Sequence, residues 1–200
     1  MKKIMPLTNL APKRLVVGIS GATGSVYAIR MLEIVRAIGN IETHLIISSA
    51  AARTLSLETD YSLQQVKALA DKTYNIDDIG AAIASGSFKT MGMVIIPCSV
   101  KTLSGVANCY SDNLLLRAAD VTLKERKPLV LSFRETPLHV GHIRLMLQAA
   151  EMGAILAPPV PAFYFKPGAI QELVDQHVFR LLDLLGIEFP DGLLTRWSGA

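Results

Sequence analysis

Three constellations of residues in this sequence have types and spacings suited to chemistry. The first is GISGATG, residues 18–24, with glycines at 18, 21 and 24. Small residues between a strand and a helix let the backbone approach a phosphate. The helix that follows offers free N–H groups and the positive end of its dipole. Tight turns that hold no ligand also use glycine, so the loop alone leaves both readings open. The second is PCSVKT, residues 97–102, where Ser99 and Thr102 stand three apart at a helix start. Their hydroxyls suit either capping of that helix or contact with a phosphate or a ribityl chain. The third is a set of cations. Arg134, followed by Glu135, lies directly beyond an apolar run, and Arg180 sits on the edge of an apolar helix face. A guanidinium so placed implies an anion beside it. Arg117, Asp120 and Lys124 share another helix face, which reads equally as a solvated surface with an Asp120–Lys124 pair.

Other candidates fall away. Binding of a dinucleotide in the usual way needs an acidic residue about 20 positions beyond the glycine loop, to hold a ribose hydroxyl. Here the second apolar run ends at Ser48-Ser49 with no carboxylate, and no tyrosine has a lysine four places later. NAD chemistry is therefore disfavoured. Cys98 follows an apolar run with no His or Asp at a telling distance, so it reads as a buried thiol. His139 and His142 are three apart and lack a third ligand in any recognisable pattern, so no metal site is expected.

The elements that must position these residues alternate along the chain. Leu15–Ile19, His44–Ser48, Met93–Pro97, Leu129–Phe133 and Ile155–Ala157 are short apolar runs of strand type. Between them, Ala28, Met31, Leu32, Val35 and Ile38 recur at helical spacing, and Gly39 stands where a left-handed C-cap belongs. Further helices are expected near Ala50, from Ser62 to Asp71, after Ser99, from an Asn113 N-cap through Lys124, and from Ile170 to Leu185. Continuous apolar strands imply a parallel sheet covered on both faces. The fold class is therefore α/β: a three-layer αβα, Rossmann-like domain with a mostly parallel central sheet. Ligands in such folds bind beyond the carboxyl ends of the strands, where the three constellations fall.

Composition narrows the setting. The chain has 200 residues, half of them apolar, with 20 basic and 17 acidic side chains and a net charge of +3. That charge is too small and too dispersed for a nucleic-acid surface. Two cysteines make no disulfide framework, and no apolar stretch approaches a membrane span, so a cytoplasmic protein is expected. Residues 1–13 read as an N-terminal extension without a signal peptide, and residues 14–200 as one domain.

Taken together, GISGATG, LETD (57–60), SGSF (85–88), PCSVKTLSG, RAADVTLKERKPLVL, RETPLHVGH, PPVPAFY and the terminal RW resemble the UbiX/Pad family of flavin prenyltransferases. The motifs keep their order from about Lys13 to the C-terminus and look closest to the ubiquinone-pathway branch of proteobacteria. The resemblance implies transfer of a dimethylallyl group from dimethylallyl monophosphate to N5 and C6 of reduced FMN, without a metal. The prenylated FMN would serve a UbiD-type decarboxylase, and the enzyme would be a homo-oligomer, a dodecamer in this family. Residue by residue, it assigns FMN contacts to Gly21, Ala22, Thr23, Ser48, Ser99, Val100, Lys101, Thr102 and Arg134. Tyr164 and Arg180 match ligands of the dimethylallyl phosphate, and Arg117 and Lys124 match cations near that phosphate that reach a neighbouring subunit's site. Glu58 and Glu135 match carboxylates that handle protons, and Trp197 an aromatic near the active site. Thr23 replaces a common serine, and Ser49 stands where relatives often carry lysine. The competing readings are an FMN-dependent cysteine decarboxylase of the same superfamily and a flavin carrier with no catalytic role.

Overall fold

The apolar runs form strands that all run the same way. In the computed structural model, which describes residues 12–199, the elements follow in the order β1 (Lys13–Ile19), α1 (Ser25–Ile38), β2 (Ile41–Ile47), α2 (Ser49–Glu58), α3 (Leu63–Ala68), β3 (Lys72–Tyr74), β4 (Gly92–Cys98), α4 (Val100–Ala107), α5 (Leu114–Lys124), β5 (Leu129–Phe133), α6 (Val140–Glu151), β6 (Ile155–Leu156) and α7 (Ile170–Leu184). Residues 1–11 of the expected extension lie outside the described residues, and Lys13 is already the first residue of β1.

The sheet order is β3-β2-β1-β4-β5-β6, and every pairing is parallel. The chain winds outward one way from β1, then returns to its other side at β4. The topological switch point therefore lies between β1 and β4, where a crevice opens at the carboxyl ends. Alternate strand residues feed two cores. Leu15, Val17, Val94 and Ile96 pack against α1 and α7, while Val16, Met93, Ile95 and Leu131 pack against α4 and α5. All seven residues of β4 are buried, because both its faces are covered.

Five expected strands are present with small shifts of boundary, and β3 is a sixth. Its KTY sequence has two exposed residues and no apolar run, so periodicity could not reveal it. Gly39 takes the left-handed C-cap, and its N–H bonds to the Val35 carbonyl at 3.3 Å. Asn113 caps α5 by accepting the Leu116 N–H at 3.0 Å. Arg30, on the polar side of α1, ties it to α7 through a two-pronged bridge to Asp175, at 2.7 and 3.1 Å. α6 is different: of its twelve residues only Ala149 is buried, and Val140, Ile143 and Leu147 are more than half exposed.

Candidate functional site

Four loops beyond the strand ends are stitched together by the backbone. The Ser48 N–H donates to the Ile19 carbonyl at 3.0 Å, Ser20 to Pro97 at 3.2 Å, and Arg134 to Cys98 at 3.0 Å. Ser20 adds a side-chain clasp. Its hydroxyl donates to the Pro97 carbonyl at 2.9 Å and accepts the Ser99 N–H at 2.8 Å. Sequence reasoning passed over Ser20, since only its burial between two loops gives it a role. Gly21 is required by close approach, as a Cβ there would overlap the Ala50 methyl at the start of α2.

These loops enclose a cleft of about 640 Å³, a size typical of small-molecule sites. Gly21, Ala22, Thr23, Ser48, Ser99, Val100, Lys101, Thr102 and Arg134 all line it, together with Glu135. Ser48 caps α2 by accepting the Ala51 N–H, and Ser99 caps α4 by accepting that of Thr102. The capping reading of Ser99 is thus realised. It aims the first-turn N–H groups of α4, which have no intrahelical acceptors, at the same cleft.

The start of α1 behaves otherwise. The Glu58 Oε2 atom accepts the N–H groups of Gly24 and Ser25, each at 2.9 Å. Of the N–H groups that α1 was expected to offer a phosphate, those of Gly24 and Ser25 are thus held by a carboxylate of the same chain. The starts of α2 and α4, by contrast, both line the cleft. Burial alone would raise the pKa of Glu58. Hydrogen bonds from Thr23, Ser25 and Gly24 outweigh that effect and hold the carboxyl below its usual range.

A second cleft, of about 710 Å³, opens between α7, the end of β6 and the C-terminal segment. Tyr164, Arg180 and Trp197 line it, along with His177 and the apolar Leu173, Leu181 and Leu184. The anion inferred beside Arg180 is Asp183, at 2.5 Å. His177 shares a hydrogen bond with the buried Ser132 hydroxyl at 2.9 Å, and burial pushes its pKa down to about 4.

Arg117 and Lys124 join neither cleft lining. Arg117 donates to the Ala84 carbonyl at 3.2 Å and pairs with Asp120 at 2.7 Å. Lys124 pairs with Glu125 at 2.6 Å, so the expected Asp120–Lys124 pair is replaced by two others. Cys98 is fully buried, and burial pushes its thiol pKa up. His139 caps α6, accepting the Gly141 N–H, with His142 stacked on its ring. Among the described residues no three His, Cys, Asp or Glu side chains converge as a metal site, and no helix is long and apolar enough to cross a membrane.

A parallel sheet in this order, with a cleft walled by helix starts at its switch point, defines a Rossmann-like nucleotide-binding protein. The sequence profile of the Flavoprotein family matches residues 4–155. Flavin prenyltransferase UbiX of Escherichia coli (strain K12) is 60% identical over 188 residues, which span 94% of this chain and 100% of that protein. The crystal structure of AnUbiX (PadA1) in complex with FMN and dimethylallyl pyrophosphate superposes with a TM-score of 0.91 at 47% identity, covering 95% of this chain and 100% of that one. The dodecameric FMN-dependent Ubix-like decarboxylase from Escherichia coli O157:H7 superposes with a TM-score of 0.89, also at 47% identity, covering 93% and 100%. The chain belongs to the UbiX family of flavin prenyltransferases.

Proposed function

We propose that this enzyme joins the dimethylallyl group of dimethylallyl monophosphate to N5 and C6 of reduced FMN, and that its product serves a UbiD-type decarboxylase in ubiquinone synthesis. The observation that carries this reading is the pairing of the two clefts in a chain of this family. One cleft has the donors for a flavin nucleotide, and the other has a tyrosine and an arginine suited to a second phosphate.

The first cleft fits FMN. The α2 and α4 starts and the cations Lys101 and Arg134 suit its phosphate and ribityl oxygens, while Leu115 and Leu116 offer apolar surface to its ring. Reduced FMN, when bound, supplies the two ring atoms that take the allyl group. Tyr164 and Arg180 hold the donor phosphate and stabilise it as it leaves with the bonding electron pair. Each cation about 4 Å from a phosphate charge contributes up to roughly 4 kcal/mol at an effective dielectric near 20, before desolvation. Several cations so placed do the work of a metal clamp. Glu135, which lines the first cleft, is the carboxylate assigned to take the proton lost at C6, with Glu58 as the alternative. Glu58, held ionised behind the loop, positions Gly24 and, through Thr23, the loop's hydroxyl.

Arg117 and Lys124 line neither cleft of their own chain, which suits service at a neighbour's site. The exposed Val140, Ile143 and Leu147 face of α6 supports the same homo-oligomeric reading, a dodecamer in the cytoplasm.

Anaerobic incubation with reduced FMN and dimethylallyl monophosphate, followed by mass analysis of the bound flavin, tests the proposal. A gain of one dimethylallyl unit is expected. Unmodified flavin would point to a carrier, or to a cysteine decarboxylase if, in a separate incubation with oxidised FMN as the two-electron acceptor, a peptide ending in cysteine lost carbon dioxide. Retained transfer in Arg180→Ala and Tyr164→Phe, with FMN bound, would remove the phosphate assignment.

A further inference from the structure

The C-terminal segment is fastened to α7 by side chains that face the second cleft. Gln176 Nε2 donates to the Thr195 carbonyl and to the Tyr164 hydroxyl, both at 2.9 Å, and Gln176 Oε1 accepts the Thr195 N–H at 3.2 Å. Tyr164 closes the triangle by donating to the same carbonyl. One residue on, Arg196 lies across Asp183, with Nη2 on Oδ1 at 2.7 Å and Nη1 on Oδ2 at 3.1 Å. That Oδ2 also accepts Arg180 Nη1 at 2.5 Å. Gln176, Arg180 and Asp183, at i, i+4 and i+7, share one face of α7. Trp197 then sets its ring edge-on to that of Tyr164, with centroids 5.8 Å apart.

Two guanidiniums on one carboxylate leave a net positive charge at the wall of the cleft that Arg180 and Arg196 both line. Left alone they would repel. Asp183 holds them to a common point, and its own carboxyl is kept ionised, first by Arg196 and then by Arg180. Both arginine side chains remain more than half exposed, so the pairing is screened and open to exchange. A phosphate presents a guanidinium with the same two-oxygen edge as a carboxylate.

We propose that Arg196 is a second guanidinium for the phosphate of the allylic donor, set beside Arg180 by the positioning residue Asp183, on a segment anchored by Gln176. This rests on the reading of Tyr164 and Arg180 as donor-phosphate ligands.

The test uses the FMN-loaded enzyme with dimethylallyl monophosphate as the varied substrate. Arg196→Ala is expected to lower kcat/KM for that donor by about tenfold, the usual scale for one charge-assisted hydrogen bond. The dissociation constant for FMN stays within about twofold, which also reports an intact fold. Arg196→Lys recovers part of the loss. Asp183→Asn lowers kcat/KM as well, and in the Arg196→Ala background its effect shrinks, because the two residues act through one contact. A merely structural Asp183 gives additive losses instead, and that overturns the positioning role. Unchanged donor kinetics in Arg196→Ala, with normal turnover in the unmodified enzyme, overturn the inference and leave the functional reading standing. An unmodified enzyme that makes no prenylated flavin overturns both.

Discussion

Glu58 and Gly24 lie 34 positions apart, yet a single carboxylate oxygen of Glu58 accepts the Gly24 N–H and that of the neighbouring Ser25. The last residue of α2 thereby caps the first turn of α1 and fixes the exit of the glycine loop between them. Glu58→Ala leaves two donors uncapped and is expected to cost about 1 kcal/mol, the scale of a lost helix cap. Its larger effect is on FMN affinity, through a looser Gly21–Gly24 loop. Glu58→Gln keeps an acceptor and restores much of the affinity. Denaturant melts and a flavin-quenching titration measure the two effects separately.

Acid should weaken the fold through buried histidines before it reaches the carboxylates. Burial pushes His177 down to about 4 and also lowers His44, whose ring is wholly inside. Above an unfolded pKa near 6.5 both states are neutral and stability is flat. Below it the unfolded chain takes up protons that the folded chain refuses, so stability falls as pH drops from about 6.5 toward 4. His177 alone accounts for a loss on the order of 3 kcal/mol across that window. Thermal melts at half-unit steps of pH should show the decline, and His177→Gln should flatten part of it. Persistence of the full slope in that variant would assign the effect elsewhere. Glu58 acts in a lower window, since a depressed carboxyl loses its contribution as pH falls through its folded pKa.

Gly86 holds room for the Lys124–Glu125 pair. A Cβ there would collide with Glu125 Oε1 and come within 2.7 Å of Lys124 Nζ. Both are ends of flexible side chains, so Gly86→Ala should leave the melting temperature nearly unchanged while displacing the ammonium. Transfer should slow several-fold, with FMN affinity preserved. A normal rate would show that the position of Lys124 is unimportant to the reaction. Gly21→Ala is the contrasting case, because the Ala50 methyl and backbone cannot swing aside; a loss of roughly 1–3 kcal/mol is expected.

The two thiols should differ in reactivity. Cys98 is buried with its pKa pushed up, whereas Cys109 is exposed. A thiol reagent should modify Cys109 alone in the native enzyme, and Cys98 only after denaturation. Native modification of Cys98 would show that β4 opens readily.

The sheet was legible because its strands are apolar without interruption, and the helices because their apolar residues recur at the right period. β3 was not, since three residues with two polar side chains leave no periodic trace. The residues lining the first cleft were legible for a topological reason: in a doubly wound sheet the switch point selects the loops after β1, β2, β4 and β5 before any side chain is placed. The partners of the charged residues were not. Asp120 pairs with Arg117, whose guanidinium also donates to the Ala84 carbonyl, while Lys124 pairs with Glu125, and no spacing rule encodes a carbonyl 33 residues away. Gln176, Asp183 and Arg196 escaped for the same reason, as their roles arise only when the chain end folds back on α7.

The backbone stitching among Ile19, Ser20, Ser48, Pro97, Cys98 and Arg134 makes the loops of the first cleft an outgrowth of the sheet itself. The second cleft is assembled from a helix face and a C-terminal segment joined by exchangeable polar contacts. One cleft is thus inherited with the fold, and the other is detachable. If the donor phosphate binds in that second cleft, selection, natural or in the laboratory, can retune which allylic phosphate is accepted by rewriting the stretch from Tyr164 to Trp197, without renegotiating how the flavin is held.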